Sequence, residues 1–383
     1  MKSFKNKMRT LALALMVVCG VLVANPKQAK AWPTFDGLYV TKILNKPSEG
    51  VTTPEETFKF KMTPYSYGGD TSKTEGFPEM LPMGVKYTAD DDADYKPEVD
   101  GKQIVKYSNK AIEDSNIYGN VKRGVYTYLL TEVPGTTEYM TYSKASYYIT
   151  FIFDGSVPFD SILIRKVTDD DGNPVEDKKL EYEKGGNDKL IFNNYYDKKD
   201  GNDNPGGGTE ITEDDKKAFA LRKTIAEANP STTDNFVFKF KVEKPAGSKS
   251  PDTGFDYYIV KNDGTAGDKQ TGEYGSDITV YLKHNERVVL GKTLLGSTVT
   301  VEETDAGVYT GSVKESMFNG TKGQTNTGII GDQESGNYVE YENTKQTPTG
   351  LLVDNLPFIA LVAVAGAGIA FFVKNREEEE ALA

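Results

Sequence analysis

The chain has 383 residues, enough for two domains of ordinary size, with 45 basic side chains against 57 acidic ones. Its formal net charge of −12 argues against nucleic acid as a partner, because phosphate binding needs clustered Lys and Arg. One cysteine and one histidine leave Ser-His-Asp, Cys-His and zinc chemistry short of side chains. No metal site, no cofactor and no enzymatic action on external substrates is expected.

Residues 1–31 read as a secretory signal peptide. Lys2, Lys5, Lys7 and Arg9 precede the apolar run "LALALMVVCGVLVA", and "AKA" ending at Ala31 offers a small-residue cleavage site. Cys19 lies inside that run. The mature chain therefore lacks cysteine and cannot use the disulfide staples common in exported domains.

Strand signals dominate from there on. "LYVTKIL", residues 38–44, alternates Leu38, Val40 and Leu44 onto one face, and Lys42 falls on that face with them. "TFKFKM" (57–62), "YLLTEV" (128–133), "SYYITFIF" and "DSILIRKV" follow, with "DDDGNPV" as a hairpin turn. "TADDDAD" (88–94) has neither the spacing nor the glycine of an EF-hand and reads as a solvated acidic loop. "LIFNNYY" (190–196) closes this first half, residues 32–198.

Residues 199–214, rich in Gly, Asp and Asn, form the expected linker. A second half, residues 215–345, repeats the landmarks of the first in the same order. "FALRKTI" (219–225) answers "LYVTKIL", "VFKFKV" (237–242) answers "TFKFKM", "VTVEET" (299–304) answers "YLLTEV", and "YVEYENTK" (338–345) closes. This alignment matches Phe58 with Phe238. Many short strands separated by turns predict an all-β protein of two tandem Ig-like β-sandwich domains.

The repeat extends to an anomaly. Lys223 shares a face with Phe219, Leu221 and Ile225, as Lys42 does with its neighbours. Glu132 alternates with Tyr128 and Leu130, and Glu303 with Val299 and Val301. Asn194 shares a face with Leu190, Phe192 and Tyr196, and Asn343 with Val339 and Tyr341. Glu302 beside Glu303, and Asn193 beside Asn194, are competing choices. Each half thus turns a Lys, a Glu and an Asn toward its core. A lysine in apolar surroundings loses its proton readily and becomes a nucleophile, while a carboxyl there stays protonated. The lysine amine can attack the Asn side-chain carbon, with the Glu moving the proton and ammonia leaving. The result is an intramolecular isopeptide bond tying the first strand to the last. By analogy with disulfide loop entropy each bond would stabilise its domain by about 4–5 kcal/mol. Ordinary snorkelling or ion pairing by a single Lys is the competing explanation, and the recurrence in both halves weighs against it.

At the C-terminal end stand "QTPTG", residues 346–350, then an 18-residue uncharged run, 356–373, just long enough to cross a bilayer, and a charged tail with Lys374 and Arg376. Residues 351–383 are read as transmembrane segment and tail. Signal, ectodomain, TG-containing pentapeptide, apolar span and charged tail form a wall-sorting layout.

Taken together, "LYVTKIL", "GVYTYLLTEV" and "LIFNNYY", with "FALRKTI", "LGSTVTVEET" and "YVEYENTK", resemble the sortase-assembled major (backbone) pilins of Gram-positive bacteria, streptococcal T-antigen type. The resemblance implies Lys42, Glu132 and Asn194 as one isopeptide triad and Lys223, Glu303 and Asn343 as the other, with Glu132 and Glu303 catalytic. It implies that a pilin-type sortase cleaves between Thr349 and Gly350 and joins Thr349 to a lysine of the next subunit. "QTPTG" departs from the usual Leu-Pro opening of the pentapeptide, and the common Tyr-Pro-Lys-Asn acceptor motif is absent. Lys184 and then Lys189 are the acceptor candidates, beside Lys178 and Lys179. The implied partners are the sortase, other copies of the chain, minor pilins, cell-wall peptidoglycan and host surface ligands. The implied location is a wall-anchored surface pilus, with membrane anchoring before sorting. The alternative is a wall-anchored adhesin or minor pilin with the same domains and no polymerisation.

Overall fold

The computed structural model describes residues 38–78, 82–98, 101–108, 122–153, 161–181 and 189–345. The signal peptide, Lys184, the QTPTG motif with Thr349 and Gly350, and the apolar span lie outside them. Among the described residues no helix is long and apolar enough to cross a membrane.

The protein is built of strands, as the β-branched and aromatic alternation predicts. It forms two β-sandwiches in tandem. In the first, a five-stranded sheet runs, edge to edge, Lys96–Glu98, Gly101–Tyr107, Thr41–Asn45, Ile191–Tyr196 and Met140–Thr141. It faces a six-stranded sheet whose central strands are Ser146–Phe153, Gly124–Val133 and Glu56–Tyr67. Phe60 from the second sheet meets Phe192 from the first with ring centroids 4.9 Å apart. In the second sandwich a seven-stranded sheet carries Ala220–Ile225 and Tyr338–Lys345 at its middle. The facing four-stranded sheet carries Phe236–Glu243 and Thr298–Asp305. Phe238 packs edge-on to Tyr341 across that core, at 5.2 Å.

Both domains share one decisive pairing. The first strand lies beside the last and runs parallel to it, Thr41–Asn45 against Ile191–Tyr196 and Ala220–Ile225 against Tyr338–Lys345. On its other side the first strand of the first domain pairs with Gly101–Tyr107, and the Tyr87 hydroxyl sits within hydrogen-bond distance of a carbonyl from each, Lys42 (2.7 Å) and Ile104 (3.1 Å).

The expected linker is held against the second sandwich rather than left as a free tether. Lys199–Asp200 pairs with Thr293–Leu294. Arg287, fully buried, donates to the Asp215 carboxylate (2.9 Å) and to the carbonyls of Gly206 and Gly208. A glycine-rich segment folds around that guanidinium because its carbonyls can turn inward without side chains in the way. Two aspartates bridge the domains, beside backbone contacts such as the Asp332 N–H to the Gly50 carbonyl (2.9 Å). Asp332 accepts from the backbone and hydroxyl of Thr52 and pairs with Lys198 at 2.6 Å. Asp197 donates its N–H to the Tyr139 carbonyl in the first domain and accepts from the Lys249 N–H in the second.

Candidate functional site

Alternation on the first strand leaves no choice about Lys42. Its neighbours Val40 and Leu44 are core residues, so the lysine side chain enters the same core and is fully buried. Its Nζ lies 2.7 Å from Glu132 Oε2, and neither side chain is exposed. The other oxygen of that carboxylate, Oε1, accepts a hydrogen bond of 2.7 Å from Asn194 Nδ2. One carboxyl group thus touches both the amine and the amide. The Phe58 ring closes the site, its centroid 4.6 Å from Nζ. Burial lowers the Lys42 pKa to about 8, the Glu132 charge only partly opposing the shift. Burial also raises the Glu132 pKa, with Lys42 pulling the other way. Both directions favour the neutral amine beside the protonated acid.

The second domain builds the same arrangement. Lys223 is fully buried, its Nζ 3.1 Å from Glu303 Oε1. The same oxygen accepts from Asn343 Nδ2 at 2.9 Å. Burial again lowers the lysine pKa to about 8. The Phe236 ring lies 4.3 Å from Nζ. The register is identical in the two domains. Lys42 sits opposite Phe192 with Asn194 two residues on, and Lys223 sits opposite Tyr341 with Asn343 two residues on. An offset of two keeps the asparagine on the lysine's face of the sheet.

Geometry separates the competing residues. Glu302 is exposed and lies opposite Lys239, while the Glu303 side chain is 5% exposed. Asn193 turns away from Lys42 and bonds Asp170 at 2.9 Å, whereas Asn194 is fully buried. The sequence alignment of the repeat needs one correction. Phe60 is the cross-strand partner of Glu132, as Phe238 is of Glu303. The ring nearest Lys42 is Phe58, and the ring nearest Lys223 is Phe236 at 4.3 Å, with Phe238 farther off at 5.9 Å. The structural equivalent of Phe58 is therefore Phe236, two residues before the one the sequence motif selects. The repeated Phe-Lys-Phe pattern hides the shift, because a period of two matches itself after any two-residue slip.

Three contributors carry no sequence signal. The Ser143 N–H donates to Asn194 Oδ1 at 2.7 Å. Asp170 accepts from the Ser143 hydroxyl (2.5 Å) and from the Asn193 N–H (2.8 Å). Gly311 lies opposite Asn343, and a Cβ there would run into Glu303 Oε2 and Asn343 Oδ1. His284 has a structural part beside this site, its Nδ1 accepting from the Ile225 N–H at 2.9 Å. Of the acceptor candidates, Lys178 is exposed, Lys179 pairs with Glu181 at 3.0 Å, and Lys189 is half-buried ahead of the last strand. The acidic run at 89–94 forms a short 3-10 helix, with Asp91 paired to Lys106 and Asp92 to Lys46. Among the described residues no group of acidic, His or Cys side chains is placed to hold a metal.

A family model described as a domain of unknown function, DUF7601, matches residues 217–345. No curated protein matches the chain. Among solved structures, the chain is similar to the major pilin from Streptococcus pyogenes at 17% identity, covering 82% of this chain and 99% of that one, with a TM-score of 0.32. The major pilin T3.2 from a Streptococcus pyogenes serotype gives 18% identity, 81% and 98% coverage and a TM-score of 0.31. A pilus-presented adhesin gives 17% identity over 51% of this chain and 39% of that chain, with a TM-score of 0.24.

Proposed function

We propose that the chain is the structural backbone subunit of a covalent cell-surface pilus, hardened by one self-formed Lys–Asn isopeptide bond in each domain. The observation that carries this reading is the recurrence of a buried Lys–Glu–Asn set, in the same register, between the first and last strands of both sandwiches. A buried ion pair is a weak source of stability, since desolvation offsets most of its attraction. Two such pairs, each bound to an asparagine amide, make better sense as reactants.

In the first domain the neutral Lys42 Nζ attacks Asn194 Cγ. Glu132 stabilises the polarised amide through Nδ2, takes a proton from the attacking nitrogen and returns it to Nδ2. The Nζ–Cγ bond forms, the Cγ–Nδ2 bond breaks and ammonia leaves. A buried charge pair is replaced by a neutral amide and a protonated, uncharged Glu132. Lys223, Glu303 and Asn343 perform the same exchange in the second domain. The sorting layout read from the sequence supplies the intermolecular step, with cleavage by a pilin-type sortase after Thr349 and transfer to a lysine of the next subunit, Lys184 first among the candidates.

Two measurements test the two parts. The mature ectodomain should weigh less than its sequence by two molecules of ammonia, and Glu132→Ala should restore one and cost the first domain about 5 kcal/mol of stability. An unshifted mass rules out the bonds. In the Gram-positive host an immunoblot should show a detergent-resistant ladder that Lys184→Ala or a Thr349 substitution collapses. A single wall-linked band, indifferent to loss of the pilin sortase, would mean an anchored adhesin instead.

A further inference from the structure

The two sites differ in how the glutamate oxygens are shared and, more consequentially, at the asparagine oxygen. In the first domain Asn194 Oδ1, the oxygen that becomes negative as the lysine attacks, accepts a 2.7 Å hydrogen bond from the Ser143 N–H. In the second domain Asn343 Oδ1 is buried without a hydrogen-bond partner. The cause lies in the neighbouring strand. Met140–Thr141 pairs with Tyr195 and Tyr196 and ends there, so the chain beyond it is free to turn an N–H toward Asn194. Its counterpart, Tyr309–Phe318, continues along the last strand past Asn343, with Gly311 directly opposite.

The turn that presents the Ser143 N–H is held from one side chain. Asp170 accepts from the Ser143 hydroxyl (2.5 Å) and the Asn193 N–H (2.8 Å) through Oδ1, and from Asn193 Nδ2 (2.9 Å) through Oδ2. The Asp170 carbonyl also accepts from the Lys144 N–H at 2.9 Å. Asp170 thereby ties the turn to the last strand at the residue next to the reacting asparagine. We propose that the Ser143 N–H is the oxyanion donor for closure of the Lys42–Asn194 bond, that Asp170 is its positioning residue, and that the second site, built without such a donor, closes more slowly. This rests on the isopeptide reading above and adds an order to the two bonds.

A preorganised donor aimed at developing negative charge is worth about 10²–10³ in rate where it has been removed from other enzymes. A backbone donor held by a carboxylate needs no reorganisation as the charge appears. The balance of atoms is unchanged: Nζ–Cγ forms, Cγ–Nδ2 breaks, and one proton passes from Nζ to the departing ammonia.

The test is a refolding time course of the whole ectodomain from denaturant, quenched and digested, with each crosslinked peptide followed by mass. The Lys42–Asn194 peptide should appear at least about tenfold faster than the Lys223–Asn343 peptide. Asp170→Ala should slow the first by about that factor and leave the second unchanged as an internal reference. Asp170→Asn keeps an acceptor at Oδ1 for Ser143 and Asn193 and should recover part of the rate. The pH profile separates positioning from loosened packing. Asp170 also bears a charge near Lys42 and Glu132, so both Asp170 variants should move the limbs of the first bond's profile to lower pH, which a packing defect would not do. Equal rates at the two sites, or an Asp170→Ala protein as fast as the parent with its profile in place, overturn the proposal while leaving the bonds themselves standing. Absence of both crosslinked peptides from the parent protein would instead overturn the reading on which it rests.

Discussion

At the scale of single residues, the chemistry is decided by where one proton sits. The reactive state, a neutral Lys42 amine beside a protonated Glu132, carries the same number of protons as the ion pair, so the two titrate as a unit. Bond formation in the first domain should therefore be constant across a middle range of pH and fall on both sides. The alkaline limb should lie near pH 8, where the Lys42–Glu132 pair loses its shared proton. The acid limb should lie above the ordinary carboxylate range, because burial raises the Glu132 pKa. A refolding series from pH 4 to 10, read by mass, checks this, and a rate that keeps climbing beyond pH 9 would contradict it. The sign for stability is separate. The folded pKa of Lys42 lies below the ordinary value of 10.5, so the unfolded chain holds more protons between about pH 8 and 10.5. The uncrosslinked domain gains stability as pH rises through that window.

At the scale of elements, period-two alternation carried most of what the sequence could show. It placed Lys42 and Lys223 in the cores, and it ranked Glu303 over Glu302, because a strand buried on one face allows only one answer. The same periodicity concealed the two-residue slip that makes Phe236 the equivalent of Phe58. Ser143, Asp170 and Gly311 were not legible, since each acts from a turn or neighbouring strand whose distance to the site exists only after the sheets pack. Gly311 lends itself to a direct measurement. Its strand crosses the last strand opposite Asn343, and only the missing Cβ leaves room for Glu303 and the amide. Gly311→Ala should block the second bond and leave the first, so that the ectodomain loses one ammonia instead of two. A doubly crosslinked Gly311→Ala protein would show that the glutamate has another way in. The packing of the segment read as a linker was not legible for a related reason. Composition marks residues 199–214 as a connection, and only the fold shows the buried Arg287 finding its partners among those glycine carbonyls and Asp215.

At the scale of the whole molecule, both sandwiches place their entering and leaving strands side by side and parallel. With the bonds closed, each domain becomes a link whose end strands are covalently joined. The joint between the links is different in kind. Asp332 reaches across to Thr52 while also bonding Lys198, and Asp197 spans from Tyr139 to Lys249. These bonds can open and re-form without breaking anything covalent. A filament made of such units would owe its stiffness along the links to chemistry that cannot recoil and its give to these hydrogen bonds and ion pairs. The joint would therefore act as a recoverable shock absorber, yielding under a sudden tug and resetting when the tug passes.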